Sequence, residues 1–194
     1  MDKIRLIAEV GVNHNGDISL AKEMIHAAAE SGADYVKFQS WQSSKFKIEL
    51  SKNGSFFGFK NQQDFFDSVQ LTDDQHHVLI EACNKRNVKF LTTCFDRERV
   101  NFLSSLGSEA IKIASCDATS ETMIKELSLA FKDLIVSTGM SSHLEIEKLI
   151  NQLEGYGKKY YVLHCISIYP TPLEKINLER FKIIKNSLGH SGMM

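Results

Sequence analysis

The sequence predicts an α/β protein of the TIM (β/α)8 barrel type, incomplete, with about six βα units present. Three observations lead there. Short apolar runs recur at βα spacing, with those that begin near residues 88, 110, 134 and 160 lying 22 to 26 residues apart. Amphipathic segments separate them. The runs are continuously apolar rather than alternating, which marks parallel strands covered on both faces. The competing open sheet that binds dinucleotides needs a GxGxxG cradle in its first turn, and "EVGVNHNGD" has none. A full barrel takes eight units in about 250 residues, whereas this chain has 194.

In chain order, "IRLIAEVG" from residue 4 is the first strand, with Glu9 toward its end and the turn "NHNG" after it. "DISLAKEMIHAAAESG" reads as a helix capped by Asp17 and ended by Gly32, with Ile18, Ala21, Ile25 and Ala28 on one face. "YVKFQS" from 35 is the second strand, and it places Lys37 and Gln39, two residues apart, on the same side. Residues 41–70, rich in aromatics and broken by glycine and asparagine, read as a long βα loop with the role of a lid. In "TDDQHHVLIEACNKRN", Thr72 opens a helix, and His76 and His77 near its start are expected to be solvated. "VKFLTTC" from 88, "AIKIAS" from 110, "LIVST" from 134 and "YYVLHC" from 160 complete the strands. Between the last two, Ser142 and Glu145 have capping-box spacing, ahead of a stripe of Ile146, Leu149, Ile150 and Leu153. His26 and His143 fall on helices away from the strand ends, and His164 reads as a hydrogen-bonded rim or core histidine.

Composition narrows the class. Hydrophobic residues make up 43% and charged residues 24%, as in a globular protein, and a net charge of −1 with no basic tract argues against a nucleic-acid partner. No apolar run reaches membrane-spanning length, and the N-terminus lacks the pattern of a secretory signal. Cys83, Cys94, Cys116 and Cys165 are too scattered for a zinc pattern or a disulfide framework. A reduced, cytoplasmic protein is expected.

In a parallel barrel the carboxyl ends of the strands carry the chemistry. Polar residues accumulate there: Glu9, Lys37 and Gln39, Thr92 and Thr93, Lys112 and Ser115, Ser137 and Thr138, His164 and Ser167. Each alone has an ordinary explanation, a snorkelling lysine or a serine satisfying a turn. Two ammonium groups, several hydroxyls and a carboxylate together describe a pocket for an anionic, phosphate-bearing substrate.

The motifs "IAEVGVNHNGDISLAKEMIHAAAESGADYVKFQS", "FLTTCFD", "IKIASCD", "IVSTGM" and "LHCISIYPTP", in that order, resemble the sialic acid synthase family, with its legionaminate, pseudaminate and spore-coat-polysaccharide relatives. The resemblance covers residues 4 to about 180. It implies a barrel enzyme that condenses phosphoenolpyruvate with an N-acetylated amino-sugar aldehyde, giving a nine-carbon keto sugar acid and phosphate. It implies that Lys37, Lys112, Ser115, Ser137 and Ser167 bind phosphoenolpyruvate, although some relatives carry asparagine at the position of Ser167. Gln39 and Tyr169 would contact the amino sugar, and Glu9 would act in acid–base catalysis. Asn13 and His14 either shape the pocket floor or form a turn with Gly16. A divalent metal, Mn2+ or Mg2+, would polarise the aldehyde oxygen.

The tail "KNSLGHSGMM" departs from the family pattern. Aligning Gly189 and Ser191 puts Met193 where a metal-binding histidine belongs, and His190 stands three positions early. A thioether is a poor ligand for hard divalent ions. The expectation is therefore a single truncated barrel over residues 1–194, with its metal ligands, its seventh and eighth strands and a C-terminal antifreeze-like (SAF) domain absent. Unpaired edges would remain at the first and sixth strands. Such a protein would be marginal, oligomeric or aggregation-prone. It would be either a synthase, alone or with a complementing C-terminal polypeptide, or a non-catalytic remnant that retains binding of its small-molecule substrates.

Overall fold

Helix α1 (Ile18–Glu30) begins where its first free N–H groups find an acceptor: the Asp17 carboxylate takes those of Ser19 and Leu20 at 2.7 and 3.3 Å. It ends at Gly32, whose φ of +83° is open to a residue without a Cβ. Of its predicted apolar face, Ala21 and Ile25 are fully buried. The computed structural model describes residues 4–45, 58–188 and 192–193, the last as backbone only. These residues belong to two compact units, Met1–Thr92 and Thr93–Met194.

In the first unit, strands β1 (Ile7–Gly11) and β2 (Tyr35–Ser40) pair in parallel, with Glu9 opposite Lys37 and a shift of register before Gly11. Ile4 is exposed, so the strand starts three residues later than the apolar run suggests. Two further helices follow, α2 (Gln62–Val69) and α3 (Asp73–Lys85), and then β3 (Lys89–Cys94). Thr72 and Gln75 close the capping box that starts α3. The core gathers Val10, Ile25, Val36, Phe38, Leu79 and Phe90, with Phe38 and Phe90 stacked 5.6 Å apart.

In the second unit, α4 (Val100–Ser105), β4 (Ala110–Ile113), α5 (Glu121–Ala130), β5 (Asp133–Ser137), α6 (His143–Gly155), β6 (Lys159–Leu163) and α7 (Leu178–Ser187) alternate. The Ser142–Glu145 capping box forms, and Ile146, Leu149, Ile150 and Leu153 are all buried. They pack with Ile111, Leu127, Leu134 and Val162 in one core. Within this unit, Thr93 at the end of β3 pairs in parallel with Lys112 of β4, and the β4–β5 and β5–β6 pairs are parallel too, so its strands follow chain order. This is the α/β barrel-type arrangement that the strand spacing predicts.

The structure corrects four expectations. A seventh strand is present: β7 (Gly192–Met193) pairs with β6 at Tyr160 and Tyr161. It can lie there because Gly192 has no side chain, since a Cβ would stand 2.7 Å from the Tyr160 hydroxyl. Two residues are too few to show a strand pattern in sequence. The edge of the sixth strand, expected bare, is accordingly paired over these residues. His76 is buried, not solvated. It shares the inward face of α3 with Leu79 and Cys83, bonds the Thr72 carbonyl at 2.7 Å and meets Phe90 edge-on. Residues 41–70 are not one plain loop. A 3-10 turn at Ser43–Lys45 and α2 lie within it, with Trp41 edge-on to Phe66 at 5.7 Å. Residues 46–57 of that segment, and the metal-motif positions Gly189, His190 and Ser191 with the Met193 side chain, fall outside the described residues.

Candidate active site

At the end of β1 the chain must turn sharply, and Gly11 supplies the turn with φ +56° just after the register shift. A Cβ there would meet Glu9 Oε1 at 3.3 Å and Gln39 Nε2 at 3.7 Å, so both side chains lie against the bare Gly11 α-carbon. The parallel register sets Glu9 beside Lys37, and Glu9 Oε2 pairs with Lys37 Nζ at 2.5 Å. The lysine side chain is 9% exposed and the carboxylate 51%. An ammonium sunk in the sheet thus meets a carboxylate that still reaches water. Glu9, Lys37 and Gln39 form one cluster, and Glu9 makes the lysine pair that is its ordinary structural role.

His14 lies beneath the turn, and burial pushes its pKa below the usual 6.5. Its Nδ1 accepts the Gly16 N–H at 3.1 Å, and its ring tilts over Phe38. That bond closes a turn between His14 and Gly16, and Asn13 is exposed beside it. Gly16, with φ +79°, passes so close to Ser68 that a Cβ would stand 2.2 Å from its carbonyl oxygen.

In the second unit Lys112 is 6% exposed at the end of β4, and its Nζ donates to the Ile113 carbonyl at 2.8 Å and to Ser137 Oγ at 2.5 Å. Ser137, ending β5, also accepts from the Cys165 thiol at 3.4 Å. Ser115, in the turn after β4, accepts the Gly139 N–H at 3.1 Å. Ser167 is exposed in the loop after β6, and Tyr169 is 93% exposed next to a cis peptide bond to Pro170. The structure therefore gathers Lys112, Ser115, Ser137 and Ser167 around the β4, β5 and β6 ends, while Tyr169 stands out into solvent. His164 bonds the Ile176 carbonyl at 2.8 Å, as a rim histidine should. Thr92 and Thr93 are buried within β3.

Asp117, two residues beyond Ser115, is a candidate that the sequence reading passed over. It is partly buried, and that burial raises its pKa while a weak bond from the Cys116 thiol at 3.5 Å works the other way. Its signal was the "SCD" spacing itself, which holds a carboxyl over the same turn as Ser115. All four cysteines are free, and burial pushes the Cys83 and Cys94 thiols up to about 12.

The chain as a whole has relatives among known proteins. The NeuB family model matches residues 24–192. The chain belongs to the NeuB family. It is 37% identical to an N,N′-diacetyllegionaminic acid synthase of Campylobacter jejuni, over 96% of this chain and 58% of that protein. A Legionella pneumophila protein of the same name is 34% identical over 92% of this chain and 53% of its own length. Among solved structures, the N-acetylneuraminic acid (sialic acid) synthetase of Leptospira borgpetersenii in complex with citrate superposes with a TM-score of 0.84 at 30% identity, over 95% of this chain and 62% of that one. The chain spans about half the length of the curated relatives it matches. Among the described residues no group of three or more His, Cys, Asp or Glu is placed to hold a metal ion. The positions to which the resemblance ties the divalent cation, Gly189, His190, Ser191 and the Met193 side chain, lie outside the described residues. No described helix is long and apolar enough to cross a membrane.

Proposed function

We propose that this NeuB-family chain serves the condensation of phosphoenolpyruvate with an N-acetylated amino-sugar aldehyde, yielding a nine-carbon keto sugar acid and inorganic phosphate. The observation that carries the reading is Lys112: an ammonium group 6% exposed at a strand end, with the Ser137 hydroxyl at 2.5 Å. An ammonium flanked by hydroxyl groups at a strand end suits a phosphate or carboxylate oxygen, which such donors bind through charge-assisted hydrogen bonds.

In this reading Lys37 and Lys112 offset the charges of phosphoenolpyruvate, and Ser115, Ser137 and Ser167 direct its oxygens. Gln39 and Tyr169 hydrogen-bond the sugar hydroxyls. The enol methylene carbon attacks the aldehyde carbon, a carbon–carbon bond forms as the C=O π pair moves onto oxygen, and that oxygen takes a proton from solvent water. Water then adds to the oxocarbenium carbon and gives its proton to Glu9, whose half-exposed carboxylate has solvent access. Phosphate leaves with the electron pair of its carbon–oxygen bond as the keto group forms. The names of the two curated relatives and of the solved synthetase support this substrate class.

The test is phosphate release from phosphoenolpyruvate in the presence of N-acetylated amino sugars, with Mn2+ and a chelator control. Release that needs both substrates supports the reading. Phosphoenolpyruvate binding without release supports the non-catalytic alternative, and neither binding nor release would sink the proposal.

A further inference from the structure

Gly139 is a glycine for reasons of space. Its backbone lies outside the left-handed region, so an alanine could adopt the same φ without strain. Yet a Cβ built there would stand 2.5 Å from Ser167 Oγ, 3.1 Å from the Cys165 carbonyl oxygen and 3.2 Å from Cys165 Cβ. The first of these distances is one that real Cβ contacts essentially never show, so something must move.

The turn holding Gly139 is not what yields. The Thr138 hydroxyl and N–H both bond the Leu163 carbonyl, at 2.9 and 3.2 Å. From α7 the Arg180 guanidinium donates to the carbonyls of Thr138 and Ser141, one on each side of Gly139. The Gly139 N–H meanwhile holds Ser115 Oγ at 3.1 Å. Ser167, by contrast, sits exposed in a loop and is the group free to be displaced.

We propose that Gly139 is a positioning residue: its N–H fixes the Ser115 hydroxyl, and its bare α-carbon admits the Ser167 hydroxyl to the same place. Through these two contacts it sets the spacing of the hydroxyls that would direct the oxygens of phosphoenolpyruvate. The inference rests on the binding role proposed above for Ser115 and Ser167.

The test is calorimetric titration of phosphoenolpyruvate into the wild-type chain, Gly139→Ala, Ser167→Gly and the double variant, each with a melting temperature. Gly139→Ala is expected to weaken binding roughly tenfold, about 1.4 kcal/mol. Since it acts by displacing Ser167, the double variant should bind like Ser167→Gly alone, a non-additivity that a merely structural role does not produce. Wild-type affinity in Gly139→Ala, with or without a lower melting temperature, overturns the inference, as do effects that multiply in the double variant. If Gly139→Ala does not fold, the double variant, relieved of the 2.5 Å contact, must fold and bind like Ser167→Gly; failure of both to fold overturns it too. A wild-type chain that binds no phosphoenolpyruvate contradicts the functional reading itself, a result distinct from equal binding by wild type and Gly139→Ala.

Discussion

Glu9 and Lys37 show how much one ion pair decides. The pair spans 2.5 Å and joins a carboxylate half in water to a lysine side chain that is only 9% exposed. Glu9→Gln takes this counter-charge away from a buried ammonium and should therefore lower the melting temperature, by less than the roughly 3–5 kcal/mol lost when a fully buried pair is broken, while phosphate release falls by about 10²–10⁴ if the carboxylate takes the proton from water. His14 gives a pH prediction. Its folded pKa is depressed, so the unfolded chain binds the proton first. The stability it contributes is full above 6.5 and is lost as pH falls from there through the lower folded value. Melting temperatures of wild type and His14→Gln should thus converge as the pH drops below 6.5, and a gap independent of pH would contradict the assignment. Asp117 runs in the opposite sense. Its raised pKa means that stability present at low pH is lost as pH rises from 3.8 through the folded value. Asp117→Asn should gain on wild type in melting temperature over that interval. With Cys83 and Cys94 buried and their thiols raised to about 12, a thiol reagent should label them only after unfolding.

At the scale of elements, caps and stripes account for most of the local structure, and these were legible. Asp17, Thr72 and Ser142 each cap the helix that their spacing predicts, because a free N–H at a helix start needs a nearby oxygen whatever the fold. Ser142→Ala should cost about 1 kcal/mol, measured by urea denaturation. A histidine beside an acidic first turn reads as solvated in the sequence, whereas the burial of His76 with Leu79 and Cys83 depends on which face α3 turns inward. Strand β7 was illegible because its cause is non-local: Gly192 is shaped to the ring of Tyr160, 32 positions earlier. Gly192→Ala should unpair β7 and expose its amides to hydrogen exchange, with the amides of β5 still protected.

Each unit of the molecule owns a core, and each core has the pattern of the parallel strands that the spacing of apolar runs predicted. The polar strand ends were legible as a set, since period-two strands fix which residues share a side. The partners were not: that Lys112 would reach Ser137, and Ser115 the Gly139 amide, depends on side-chain reach across neighbouring strands. Leu127, wholly buried in the second core, should cost about 2–5 kcal/mol when cut to alanine. Exposed apolar side chains on and before α7, among them Leu173, Leu178 and Ile183, predict self-association at high concentration. Sedimentation should show it, and Leu178→Glu should weaken it.

The most direct measurement is titration of phosphoenolpyruvate into the wild-type chain and into Lys112→Ala, with Lys37→Ala beside it. Loss of the Lys112 ammonium should weaken binding by about 1.5–3 kcal/mol, the worth of a hydrogen bond to a charged group, with folding retained by circular dichroism. Equal affinity in wild type and Lys112→Ala would contradict the account.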